Sequence, residues 1–170
     1  MDSVLQEAIQ VKNELIDNCD TIFISSVNLE GSPNVSYAPV YIDNSSYFYI
    51  YVSALAKHTK NIIDTKKISF MIIEKNSDNV FAKKRITFDG KIKIIPRNTD
   101  DFNLIMDNMK NKLGETIDMI KHMKDFSLIQ INPISALLVH GFARAFILSG
   151  DGLNDIKHLN DIGHTEKSGK

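Results

Sequence analysis

Lys57, His58, Thr59, Lys60 and Asn61 are five consecutive polar residues, set shortly after the strand-forming run Tyr49-Ile50-Tyr51-Val52 and directly before Ile62 and Ile63. That order predicts a strand that breaks at Ser53 and a short helix that follows. A corner of this make-up can hold a phosphate or a carboxylate. The first amides of a helix lack backbone partners, its dipole is positive there, and two ammonium groups add charge. The same residues also suit a solvated corner without a ligand, and their types alone leave both readings open. Elsewhere the chemistry-bearing side chains read as structural. Cys19 is the single cysteine, so there is no internal disulfide, and no His or Asp stands at a spacing that would activate it. Met106, Met109 and Met123 fall on a helical stripe and read as core. His122 suits a helix surface and His140 a strand.

Composition limits the partners. The chain has 170 residues, 43% of them hydrophobic, enough for one good core and one domain. A net charge of −1 gives no electrostatic case for nucleic acid or an anionic membrane surface. Positive charge is local, at Lys57/Lys60, Lys66/Lys67 and Lys83-Lys84-Arg85. Met1-Asp2-Ser3 carries no basic leader, and no segment approaches the ~20 apolar residues of a membrane span, so a cytoplasmic protein is expected.

The elements that must position the corner follow in order. Ser3-Val4-Leu5-Gln6 forms a possible capping box, and Val4, Ala8, Val11 and Leu15 recur at helical spacing up to about Asn18. Strands are predicted over Thr21–Val27, Val35–Ile42, Tyr47–Val52 and Ile68–Ile73, with turns at 29–34 and 43–46. A polar loop covers 76–84, and Arg85–Ile94 alternates as a strand with one buried face. Phe102, Ile105, Met106, Met109, Leu113, Ile117 and Ile120 are helical, divided at Gly114. Phe126–Ile131 and Leu137–Leu148 are the last strands, parted by Asn132-Pro133. Short, evenly spaced strands predict a mainly β fold with flanking helices, a barrel of six to seven strands over residues 1–148. Residues 149–170 read as a tail rich in Gly, Asp, Lys and His.

Five stretches together resemble a known family. They are Ile24–Val27 with Gly31–Pro39; Val52–Asn61; Phe81–Thr87; Asp125-Phe126 with Pro133; and Gly141-Phe142-Ala143-Arg144-Ala145-Phe146. In this order they resemble an FMN-binding split barrel of the pyridoxamine-phosphate-oxidase type, and more specifically the HugZ/HutZ group of bacterial haem-utilisation proteins. The resemblance implies a homodimer that binds haem in its cleft and degrades it with oxygen and a reductant from an unidentified electron donor, releasing iron. It implies that His164 holds the iron, with His158 as the rival ligand. It places Arg85 on the oxygen side of the iron, and Asp125 beside the ligating imidazole across the dimer. A neutral imidazole and a permanently charged guanidinium suit those tasks. Lys57, His58, Thr59, Lys60 and Asn61 then face either haem propionates or, in the alternative, the phosphate of FMN. A haem carrier without turnover is the further alternative. Arg144, in an apolar strand, is expected to pair at the dimer interface. Ala143 stands where the family usually has Gly.

Overall fold

The computed structural model describes residues 3–77, 79–141 and 144–159. Helix α1, Ser3–Asp17, buries Ala8, Val11 and Leu15 on one face, as the spacing predicts. Among the described residues nine strands make one antiparallel sheet: β1 Thr21–Val27, β2 Pro33–Pro39, β3 Tyr41–Ile42, β4 Phe48–Ser53, β5 Lys67–Ile73, β6 Arg85–Ile95, β7 Phe126–Val139, β8 Ala145–Ser149 and β9 Asp155–His158. Between them lie α2 Lys57–Thr65, α3 Asp100–Leu113 and α4 Thr116–Lys121. The order is β2-β1-β5-β6-β7-β4-β3, with β8 on β7 and β9 on β8. The mainly β split barrel with flanking helices is the architecture expected.

The barrel closes on three phenylalanines, one each from β4, β5 and β6. Phe70 stacks on Phe88 at 4.7 Å, and Phe48 lies 4.9 and 5.3 Å from them. Each fully buried ring contributes on the order of 1.5–3 kcal/mol. A second apolar layer lies on the other face of β4, where Tyr49, Tyr51 and Leu128 meet Phe102, Met106 and Met109 of α3. Strand β4 is therefore covered on both sides, which is why it reads as a continuous apolar run rather than an alternation. Thr99 caps α3, its Oγ1 accepting from the Phe102 amide at 3.2 Å, and Gly114 ends it with a φ of 94°.

Three predicted boundaries move. The expected strand Val35–Ile42 divides at Val40, because β2 pairs with β1 whereas Tyr41–Ile42 pairs with β4. Asn132-Pro133 is a bend inside β7 and not a break. Up to Ile131 this strand is flanked by β6 and β4, and from Ala136 by β6 and β8. Between these spans it has a partner on one side alone, so a proline without an N–H is tolerated. The register shifts opposite, at Asp89/Gly90, and a Cβ on Gly90 would fall 2.7 Å from Ile131 Cγ2. The break lies instead between Val139 and Ala145, inside the expected strand Leu137–Leu148. Beyond Ser149 a short 3-10 turn, Asp151–Leu153, leads into β9, a four-residue strand too short for its alternation to be read.

Candidate functional site

Side chains on one face of β6 point out of the barrel. Ile86 and Phe88 are buried, whereas Arg85 and Thr87 face outward. A row of register partners crosses this outer face: Tyr37, Phe23, Met71, Thr87, Leu137 and Ile147. Phe23, Tyr37, Leu137 and Ile147 are all exposed. Arg85 sits one step along, between Ile73 and Val139. Its Nη1 donates to the Lys83 carbonyl at 3.2 Å, and no carboxylate among the described residues pairs with it. The ion pair that would make Arg85 merely structural is thus not found among the described residues.

The Lys57–Asn61 corner is a helix start, as its sequence predicts, but its polar groups do not all face one way. Lys57 and Lys60 are exposed, and Lys60 Nζ pairs with Asp64 at 2.6 Å. His58, Thr59 and Asn61 are buried. Asn61 Nδ2 donates to Ser26 Oγ at 3.1 Å, tying α2 to β1. His58 Nε2 and Thr59 Oγ1 have no hydrogen-bond partner among the described residues. Burial pulls the His58 pKa below its ordinary value, so the imidazole is neutral at pH 7. The N-cap, Ala56, offers no side-chain acceptor to the first amides of α2. An anion at this corner would meet Lys57 and uncapped helix amides, whereas the unsatisfied His58 Nε2 and Thr59 Oγ1 are buried away from the surface.

Asp125 belongs to the same neighbourhood. Its Oδ2 accepts from Ser53 Oγ at 2.8 Å, its carbonyl accepts from the Ala54 amide at 2.7 Å, and Ser53 Oγ also accepts from the Leu55 amide at 3.1 Å. The turn that carries Asp125 is gripped by Arg97. This guanidinium donates to the carbonyls of Lys121 at 3.0 Å and Phe126 at 2.8 Å, to the carbonyl of Met123, and to Tyr51 Oη at 2.5 Å. It also lies 5.7 and 5.4 Å from the ring centres of Tyr51 and Phe102. Sequence reading missed Arg97 because a lone arginine after Pro96 has no periodic or motif signal. Ser53 was visible as the break residue of the corner, though not as a partner for Asp125.

Arg85 stands apart from these groups within one chain. Asn61 reaches Ser26, whose neighbour Ser25 pairs with Ser69, whereas Arg85 pairs with Ile73. Four residues of β5, about 13 Å of strand, separate the two levels, and the side chains lie on opposite faces. His164 lies outside the described residues, as do Phe142 and Ala143. The rival, His158, ends β9 with its ring 4.6 Å from Phe146 and its Nε2 buried. His140 also stacks on Phe146, at 5.2 Å, its pKa lowered by burial. Arg144 Nη1 pairs with Glu7 at 2.6 Å within the chain. Cys19 is buried, its thiol pushed up to about 11, chiefly by desolvation, which agrees with a structural role. Among the described residues no three His, Cys, Asp or Glu side chains gather to hold a metal ion, and no helix is long and apolar enough to cross a membrane.

Comparison with known proteins places this geometry. Residues 9–140 match the pyridoxamine 5'-phosphate oxidase family. The chain is 34% identical over 150 residues to the heme oxygenase HutZ of Vibrio cholerae, spanning 87% of this chain and 84% of that protein. The crystal structure of the Vibrio cholerae heme storage protein HutZ superposes with a TM-score of 0.71 at 28% identity, covering 76% of this chain and 93% of that one. ChuZ of Campylobacter jejuni superposes with a TM-score of 0.84 at 23% identity, covering 95% of this chain and 66% of that one, and so supports the fold.

Proposed function

We infer, from the premise that this chain belongs to the pyridoxamine 5'-phosphate oxidase family and within it to the HutZ-type haem-utilisation proteins, that it binds haem and degrades it oxidatively with oxygen and a reductant, releasing iron. The observation that carries this reading is the 34% identity to a heme oxygenase along most of both chains.

The residues support it as follows. The substrate sits in a cleft between two copies of the chain. Within a single copy Arg85 lies on the outer sheet face and the Lys57–Asn61 corner at the start of α2, and a symmetric dimer would bring each group to the other copy's partner residues. The exposed apolar row around Leu137 and Ile147 is the face that a second copy covers. Haem supplies the redox-active iron; the chain supplies position and charge. His164 would hold the haem iron. Asp125, held by Ser53, accepts a hydrogen bond from that imidazole in the other copy, which orients the ring and strengthens its donation to the metal. Arg85, free of a described carboxylate, would donate hydrogen bonds within the haem cleft. Lys57 and the amides of α2 meet a propionate, with His58, Thr59, Lys60 and Asn61 shaping the corner behind them. The electron donor is a separate protein or small reductant.

Carriage without turnover is the second reading, favoured by the description of the superposed HutZ as a storage protein. FMN oxidase chemistry is not favoured, since the 34% identity along most of both chains is to a heme oxygenase, whereas the oxidase name belongs to the family as a whole. Titration of the purified chain with haem and, separately, with FMN tests the assignment by absorption. Haem should give a saturable Soret band, and FMN should wash away. His164→Ala should abolish or greatly weaken that band, while His158→Ala should leave it nearly intact. Protein that retains stoichiometric FMN through purification, or a band lost in His158→Ala alone, would overturn the cofactor or the ligand assignment respectively.

A further inference from the structure

At the end of β4 remote from Ser53, helix α1, the β3–β4 turn, the bend of β7 and the 3-10 turn enclose an open cavity of about 900 Å³. None of the described haem-site candidates lines it. Its size falls in the range of small-molecule sites. Lys12 stands in its wall, only 6% exposed, and its Nζ has a single described partner, Asn154 Oδ1 at 3.3 Å. No carboxylate among the described residues forms an ion pair with it. Burial lowers its pKa, the mark of a cation short of compensation. An ammonium buried against one distant amide oxygen costs stability that a methionine of similar length would not.

The surroundings are built to present it. Asn154 follows a turn in which Gly150, Gly152 and Leu153 all have positive φ, 74°, 60° and 57°. Leucine is rarely found there, so the backbone conformation is imposed rather than preferred. Asn13 and Asn132 add amide groups to the wall, and Lys112 adds a second cation. Asp43 does not compete for Lys12: its oxygens accept from the Ser45 and Tyr47 amides and from Tyr49 Oη, each at 2.9 Å. Asp17 and Asp151, also on the wall, repel an anion and so limit the attraction to the neighbourhood of Lys12, which suits a small ligand rather than a polyanion.

We propose that this cavity is a second binding site, which takes a small oxyanion, a carboxylate or a phosphate, with Lys12 as its counter-ion and the asparagine amides as its hydrogen-bond partners. The site is separate from the haem cleft and does not depend on the haem assignment. Amide NMR of the labelled full chain, titrated with citrate, inorganic phosphate and neutral glycerol, tests it. At least one oxyanion should give saturable shifts grouped at residues 12–13, 44–46 and 152–154, and glycerol should not. Saturation by citrate alone assigns a carboxylate ligand, by phosphate alone a phosphate. Lys12→Gln should weaken the binding at least about tenfold, the loss of one charge-assisted bond, with the thermal transition and haem spectrum retained. Should that variant fail to fold, Asn154→Asp, which sets a carboxylate beside Lys12, should weaken oxyanion binding likewise. Absence of saturable shifts, equal response to glycerol, or binding that survives the substitution would overturn the proposal.

Discussion

At the scale of single residues, the molecule separates groups that carry charge outward from groups kept neutral inside. Arg85 is the outward case: an always-protonated guanidinium on an exposed sheet face, with a carbonyl as its one described acceptor. A carrier has no use for such a donor, whereas an oxygenase does, because a fixed charge stabilises the oxygen as it is reduced. Arg85→Ala should therefore bind haem with near-normal spectra yet lose on the order of 10²–10³ in turnover, with Arg85→Lys a partial rescue because an ammonium lacks the planar fork. Unchanged turnover in Arg85→Ala would remove it from the chemistry. His58 and His140 are the inward case. Burial lowers both pKa values from 6.5, so between the folded and unfolded values the unfolded chain binds more protons. The stability they protect is whole above about pH 6.5 and is lost as the pH falls through that value toward the lower folded ones. Melting temperatures from about pH 7.5 to about pH 5.5 should fall less steeply in His58→Gln/His140→Gln than in the wild type. Equal slopes would contradict the neutral assignment.

At the scale of elements, the strand-to-helix corner was legible because its signal is local: aromatic and β-branched residues, then hydroxyl, amide and ammonium groups. The inward turn of His58, Thr59 and Asn61 was not, since it depends on Ser26 from a strand thirty-odd residues earlier. The continuity of β7 was likewise hidden. Pro133 is a breaker in isolation and becomes tolerable only where neighbouring strands exchange places beside it. Gly90 is the counterpart on β6, and its missing side chain is what lets the bend close against Ile131. Gly90→Ala should cost about 1–3 kcal/mol by overpacking, read from denaturant unfolding. A change within experimental error would mean that the bend relaxes freely. The roles proposed for Arg85, Asp125 and His164 rest on resemblance alone, because no periodicity sets an arginine on β6 against an aspartate on a distant turn.

At the scale of the whole molecule, one chain holds the parts of the proposed haem site in two places. Ser53, Asp125 and the α2 amides gather at one end of β4, while Arg85 lies on the outer sheet face. In the proposed dimer, a second copy laid over the apolar row that includes Leu137 and Ile147 would complete both sites at once. Leu137→Asp puts a charge into that row and should convert the proposed dimer to a monomer by light scattering, with loss of the haem spectrum in parallel. A monomeric variant that still binds haem normally would separate the site from the dimer.

The central claim is turnover. Purified chain loaded with haem, supplied with ascorbate and oxygen, and protected by catalase, should lose its Soret band while a ferrous chelator in the solution develops colour in proportion. Haem that stays intact under those conditions, with the chelator uncoloured, would contradict the enzyme and leave a carrier.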